Sequence, residues 1–124
     1  MQGEIRKEQW QAYLDGFSKR NSGRTADLQI LSDELGTQEE AQMLPFAGIT
    51  LDNKGSLASS VEIMLGGTGL ADKRNLTHTI NQVRRIVPKK GGDGREDALE
   101  IEAKDGAKTI LIFKTPLELP ETTL

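Results

Sequence analysis

The sequence predicts an α+β fold: an N-terminal amphipathic helix packed on a five- to six-stranded antiparallel sheet or partly closed barrel. Three observations predict it. Apolar side chains recur at a helical period near the N-terminus. From Ala26 onward the period drops to two, as in half-buried strands. The alternating runs succeed one another too closely for the crossovers of about a dozen residues that parallel strands require.

The helix comes first. In IRKEQWQAYLDGFSKRN, Trp10, Tyr13, Leu14 and Phe17 occupy positions i, i+3, i+4 and i+7, which places them on one face. Lys19 and Arg20 near its end complement the helix dipole, and Gly23 can terminate it. Gly16 weakens it by about 1 kcal/mol relative to alanine, so the helix depends on packing. The stripe reads as core.

Strands come next. ADLQILS sets Ala26, Leu28 and Ile30 against Asp27 and Gln29; FAGITLD carries Phe46, Ile49 and Leu51. SVEIMLG sets Val61, Ile63 and Leu65 against Glu62 and Met64, and LTHTI sets Leu76, His78 and Ile80 against Thr77 and Thr79. Between the first two lies an acidic connection, DELGTQEEAQMLP, in which Gln38–Met43 reads as a short helical turn. The last hairpin, ALEIEAKDGAKTILIFK, has Asp105-Gly106 between alternating runs, the signature of a two-residue type I′ turn. That turn sets Ile101 opposite Ile110 and Leu99 opposite Ile112. The final strand is apolar on both faces, which suits a central or covered position. Pro116 and Pro120 in the tail stop further pairing.

Composition bounds the chemistry. A chain of 124 residues, 35% hydrophobic with 13 glycines, fits a single domain over 1–124 with one core. It has no cysteine and one histidine, so neither a disulfide nor a cysteine- or histidine-pair metal site is available. No apolar run approaches the roughly 20 residues that span a bilayer, and the charged N-terminus lacks a signal-peptide core. The expectation is a cytoplasmic protein with no membrane association, metal or cofactor.

Two features invite a catalytic or nucleotide reading. GGTG at 66–69 comes after an alternating run, but the dinucleotide fingerprint fails where Asp72 replaces its last glycine, and the Lys-Ser/Thr pair of a Walker loop is missing. The run LADKRN, between GGTG and the next alternating segment, is too short for a crossover helix. GGTG therefore reads as a flexible hairpin loop. His78 shares the face of Leu76 and Ile80 and reads as a partly buried structural histidine. No nucleophile elbow is present, and no carboxylate pair stands out, which together point away from an enzyme.

Charge is unevenly spread. The net charge of −3 argues against nucleic acid as a general partner. The segment 73–95 nevertheless holds Lys73, Arg74, Arg84, Arg85, Lys89, Lys90 and Arg95 against Asp93 alone, leaving about −9 on the rest of the chain. One reading has these cations neutralise the acidic stretch at 33–40 or guard a strand edge. The other makes Lys73, Arg74, His78, Arg84, Arg85, Lys89 and Lys90 a surface for an acidic partner or RNA. No aromatic lies between Arg74 and Arg95 to stack on a base.

The segments EQWQAYLDGFSKR, LG at 35–36 with Glu40, LPFAGI at 44–49, VEIMLGG, LTHTI and LEIEAKDG occur in an order that resembles an uncharacterised family of small bacterial proteins, a domain of unknown function. The Gly-rich stretch at 66–75 corresponds to its variable part. The resemblance implies a compact bacterial domain and carries no activity, cofactor or site. In outline the chain is also similar to Sm-like RNA-binding barrels, although no Sm motif is present, and likeness of fold does not establish function. The functional expectation is a non-enzymatic interaction or structural module with a protein partner or self-association. Binding of an acidic partner or RNA through 73–95 is the alternative, and a pocket beside His78 is a third reading.

Overall fold

A computed structural model describes residues 3–52, 59–66, 75–92 and 94–114. A 3₁₀ turn, Lys7–Gln9, leads into helix α1, Trp10–Asn21. Seven strands come after it: β1 Thr25–Ser32, β2 Gly36–Asp52, β3 Ser60–Gly66, β4 Asn75–Ile80, β5 Val83–Lys90, β6 Glu96–Ala103 and β7 Lys108–Phe113. All pairings are antiparallel, in the spatial order β4-β3-β2-β1-β7-β6-β5.

The expected helix-on-sheet architecture is present, with more strands than the sequence showed. The additional strand is β5, within the segment read only as basic. Gln38–Met43 is not a helical turn either. It belongs to β2, where Gln38 pairs with Ile30 and Glu39 with Gln29. Its side chains are almost all exposed, so the strand exists through backbone pairing with β1 and leaves no period in the apolar residues.

The last hairpin also differs by one residue. Ile101 faces Thr109, Leu99 faces Leu111 and Glu100 faces Ile110. A type I′ turn needs positive φ at both central residues, but here only Gly106 has it, at 93°. The Gly106 N–H donates to the Ala103 carbonyl and the Ala103 N–H to the Ala107 carbonyl, both at 2.9 Å. The glycine thus takes the left-handed position after a turn, which adds a residue to the loop and slips the register. The slip moves Thr109, Leu111 and Phe113 onto the core face and puts Ile110 and Ile112, half-buried, on the other. As expected of a strand apolar on both sides, β7 lies inside the sheet, between β1 and β6.

The sheet is curled but not closed. β4 and β5 occupy its opposite ends, yet only Asn81 and Gln82 join them. Three Cα steps reach about 11 Å, whereas the outer strands of a flat seven-stranded sheet stand about 29 Å apart. The sheet must therefore bend until its two ends meet at this corner. Much of the bend falls in β2, whose first half pairs with β1 and whose second half pairs with β3. Just before the change of partner, Met43, at φ 55°, sits in the register irregularity opposite Asp27, its N–H held by Asp27 Oδ1 at 2.8 Å. At the corner the Val83 N–H donates to the Ser59 carbonyl at 2.9 Å.

Helix α1 fills the curl. Trp10, Leu14 and Phe17 are buried as its period predicts, and Tyr13 is half-buried. The three phenylalanines meet there: Phe17, Phe46 and Phe113 have ring centroids 5.5–5.7 Å apart. Gly23, at φ 88°, turns the chain from helix into β1. Its N–H goes to the Phe46 carbonyl at 2.8 Å, so the helix end is tied directly to β2. Among the described residues no helix is long and apolar enough to cross a membrane.

The expected loop at GGTG lies mostly outside the described residues, as do Lys73, Arg74, Pro116 and Pro120. The strands that flank the loop are antiparallel neighbours, with Gly66 opposite Asn75. That is the context of a hairpin, not of a phosphate loop leading into a helix.

Candidate functional site

Of the cations of 73–95 that the structure describes, Arg84, Arg85 and Lys89 lie against carboxylates. A register shift between Val83 and Arg85 sets Arg84 and Arg85 together against Glu102. Arg84 pairs with Glu102, whose side chain is buried, and Arg85 Nε lies 3.8 Å from the same carboxylate and 3.3 Å from Glu4. Lys89 Nζ is 3.9 Å from Glu100, which Lys108 approaches at 3.7 Å from the other side. Their acidic counterparts thus lie on β6 and at the N-terminus, not in the acidic stretch 33–40. Lys89 and Lys90 line a groove of about 610 Å³ with Gly3, Glu4 and Ile5.

His78 lies apart from them, half-buried beside Leu76 and Ile80. Burial lowers its pKa, while the charge of Glu40 acts in the opposite direction. With Ile30, Ile80 and Thr109 it lines a cleft of about 290 Å³. Among the described residues no group of three or more His, Cys, Asp or Glu could hold a metal ion.

The strongest polar cluster was not legible in the sequence. Glu96 is 4% exposed at the start of β6. Its carboxylate accepts hydrogen bonds from the Tyr13 hydroxyl at 2.8 Å, Arg20 Nη2 at 2.5 Å and Asn21 Nδ2 at 3.2 Å. Arg24 donates to the Glu96 carbonyl at 2.8 Å and lies over the Phe113 ring. Burial alone would raise the Glu96 pKa, but the bonds from Arg20, Tyr13 and Asn21 win and bring it down to about 2. Burial and the neighbouring carboxylate push the Tyr13 hydroxyl well above its usual pKa. With the acid ionised and the phenol protonated, neither is poised for proton transfer near neutrality. The cluster is a staple that fixes α1 to β6. No local pattern signals it, because its partners stand more than seventy residues apart in sequence.

Two features remain available for function. One is the corner where the sheet ends meet. A cavity of about 510 Å³ opens there between the helix start and the β4–β5 connection, lined by Lys7, Trp10, Ser59, Gln82, Val83, Arg84 and Lys104. The other is the contrast between the sheet's two edges. β5 is defended by Pro88, Lys89, Lys90 and two irregularities of register, and the Ile5 N–H caps the Ile86 carbonyl at 2.8 Å. β4, with the sequence NLTHTI, has no proline, no bulge and no formal charge, and among the described residues it pairs with β3 alone.

Comparison with known proteins agrees with the resemblance carried by the sequence. An uncharacterized protein of Aquifex aeolicus (strain VF5) is 30% identical over 117 residues, which cover 94% of this chain and 96% of that protein. No solved structure matches. The family of unknown function DUF5335 matches residues 1–122, and the chain belongs to that family.

Proposed function

We propose that this chain is a single-domain protein-interaction module of the bacterial cytoplasm, without enzymatic activity, that joins a second copy of itself by strand addition at β4. The undefended β4 edge carries this reading. An edge strand of ordinary length presents unpaired N–H and C=O groups, and proteins normally blunt such edges. β5 carries a proline, two lysines, two register irregularities and a backbone cap, and β4 carries none of these among the described residues. Antiparallel pairing of two β4 strands centred on His78 also matches like with like. Leu76 meets Ile80 on the core side, and Thr77 meets Thr79 on the outer side. The acidic-partner or RNA reading draws less support, because Arg84, Arg85 and Lys89 already face carboxylates.

Sedimentation of the wild type and of Thr77→Lys/Thr79→Lys tests the reading. Both threonines are exposed, so the substitutions leave the core intact. The expected result is a concentration-dependent dimer that the double variant loses at unchanged melting temperature. A protein that stays monomeric at high concentration, or a dimer indifferent to these substitutions, would refute strand addition at β4.

A further inference from the structure

We infer that the cavity at the β4–β5 corner binds a small phosphomonoester. This site is separate from the β4 edge and does not depend on self-association.

Its lining is one-sided in charge. Lys7, Arg84 and Lys104 contribute three cations, and among the described residues no carboxylate lines the cavity. Arg84 is shared with Glu102. Neither Lys7 nor Lys104 pairs with a carboxylate among the described residues, and Lys7 instead lies 5.9 Å from the centre of the Trp10 ring. Two uncommitted positive charges match a phosphate monoester, which carries about −1.5 to −2 near neutral pH.

An independent observation concerns Ser59. It is only 7% exposed, yet its hydroxyl has no hydrogen-bond partner among the described residues, and it lines this cavity. A buried hydroxyl without a partner is destabilising. A phosphate oxygen in the cavity would satisfy it, and the Gln82 amide on the same wall supplies a further donor. The rest of the wall is apolar, from Trp10 and Val83, so the ligand carries an apolar body beside its anion. The volume lies within the roughly 300–1,000 Å³ usual for small-molecule sites.

Trp10 is the only tryptophan, so its fluorescence reports directly on this cavity. Phenyl phosphate, inorganic phosphate and benzoate serve as probes for wild type, Lys104→Gln, Ser59→Ala and Lys89→Gln. Phenyl phosphate is expected to give a saturable change, tighter than inorganic phosphate, which lacks the apolar body, or benzoate, which lacks the second charge. Lys104→Gln should weaken it about tenfold or more, the loss of one charge-assisted hydrogen bond. Ser59→Ala should weaken it by a smaller factor, and Lys89→Gln, outside the cavity, should leave it unchanged. No saturable change with any probe would overturn the inference. So would equal binding in Lys104→Gln and wild type, a loss in Lys89→Gln as large as in Lys104→Gln, or benzoate binding as tightly as phenyl phosphate.

Discussion

Glu96 bonds to three side chains of one helix, and its ionisation ties stability to pH. Its pKa of about 2 in the fold lies below the usual carboxylate value of 4.5. The unfolded chain therefore takes up the proton first as pH falls. The stabilisation is fully present above about pH 4.5 and is lost as pH drops toward 2. Arg20 is half-exposed, which screens its part, so the contribution is on the order of 2–3 kcal/mol. Urea titrations should show Glu96→Gln less stable than wild type at pH 7 by about that amount, with the gap closing near pH 2–3. A gap independent of pH would mean that the carboxylate charge is not what holds the helix. Gly16 lies beside the same cluster. A Cβ there would sit 2.7 Å from Arg20 Nη1, so the flexible Arg20 head would have to shift to accept a side chain at this position.

At the scale of elements, the helix tests packing and β5 tests pairing. Trp10 is 3% exposed, and its Nε1–H donates to the Ile5 carbonyl at 2.9 Å. Trp10→Ala should cost about 3–5 kcal/mol, read as a drop in urea midpoint. Arg84→Glu/Arg85→Glu would place two carboxylates beside the buried Glu102 side chain and should destabilise by about 3 kcal/mol. A melting temperature unchanged by the second pair would mean these arginines are free surface cations. The same elements show what the sequence could tell. Helix α1 was legible because its buried stripe keeps a strict 3.6 period, and β3 and β4 because one face is wetter than the other. β5 was not, since its two register irregularities break the alternation and its cations hide their partners on β6. The β2 extension was not, because it is held by backbone bonds with its side chains in water. The hairpin turn was located correctly, but its register depended on the backbone angles of the turn, which Asp-Gly alone does not specify. At the candidate site, His78 was placed on its correct face. The corner cavity could not be seen, because it gathers side chains from the helix start, the approach to β3, the β4–β5 connection and the last turn.

At the scale of the whole molecule, the curl brings the two sheet ends together at one corner and leaves β4 as the one undefended edge among the described strands. If two copies pair there around His78, the two imidazoles are direct cross-strand neighbours, with Cβ atoms about 4.5–5.5 Å apart. Burial already favours the neutral ring, and Glu40 only partly offsets it. Protonation would set two like charges opposite each other, which destabilises a strand pair. The dimer should therefore hold at pH 8 and weaken only as pH falls below about 6.5, because burial holds the His78 pKa under the ordinary histidine value. Folding responds in the same sense, because a lowered histidine pKa means the unfolded chain binds the proton first. Sedimentation at matched concentration separates the two effects: the melting temperature reports on the fold, and the association constant reports on the edge. His78→Gln should keep the dimer and flatten its pH profile between about 5 and 8, since glutamine stays neutral throughout. A dimer that the Thr77→Lys/Thr79→Lys pair abolishes but whose association constant ignores pH would still lie on β4, with its two-fold axis at Thr77. There Leu76 faces His78 and no two imidazoles meet.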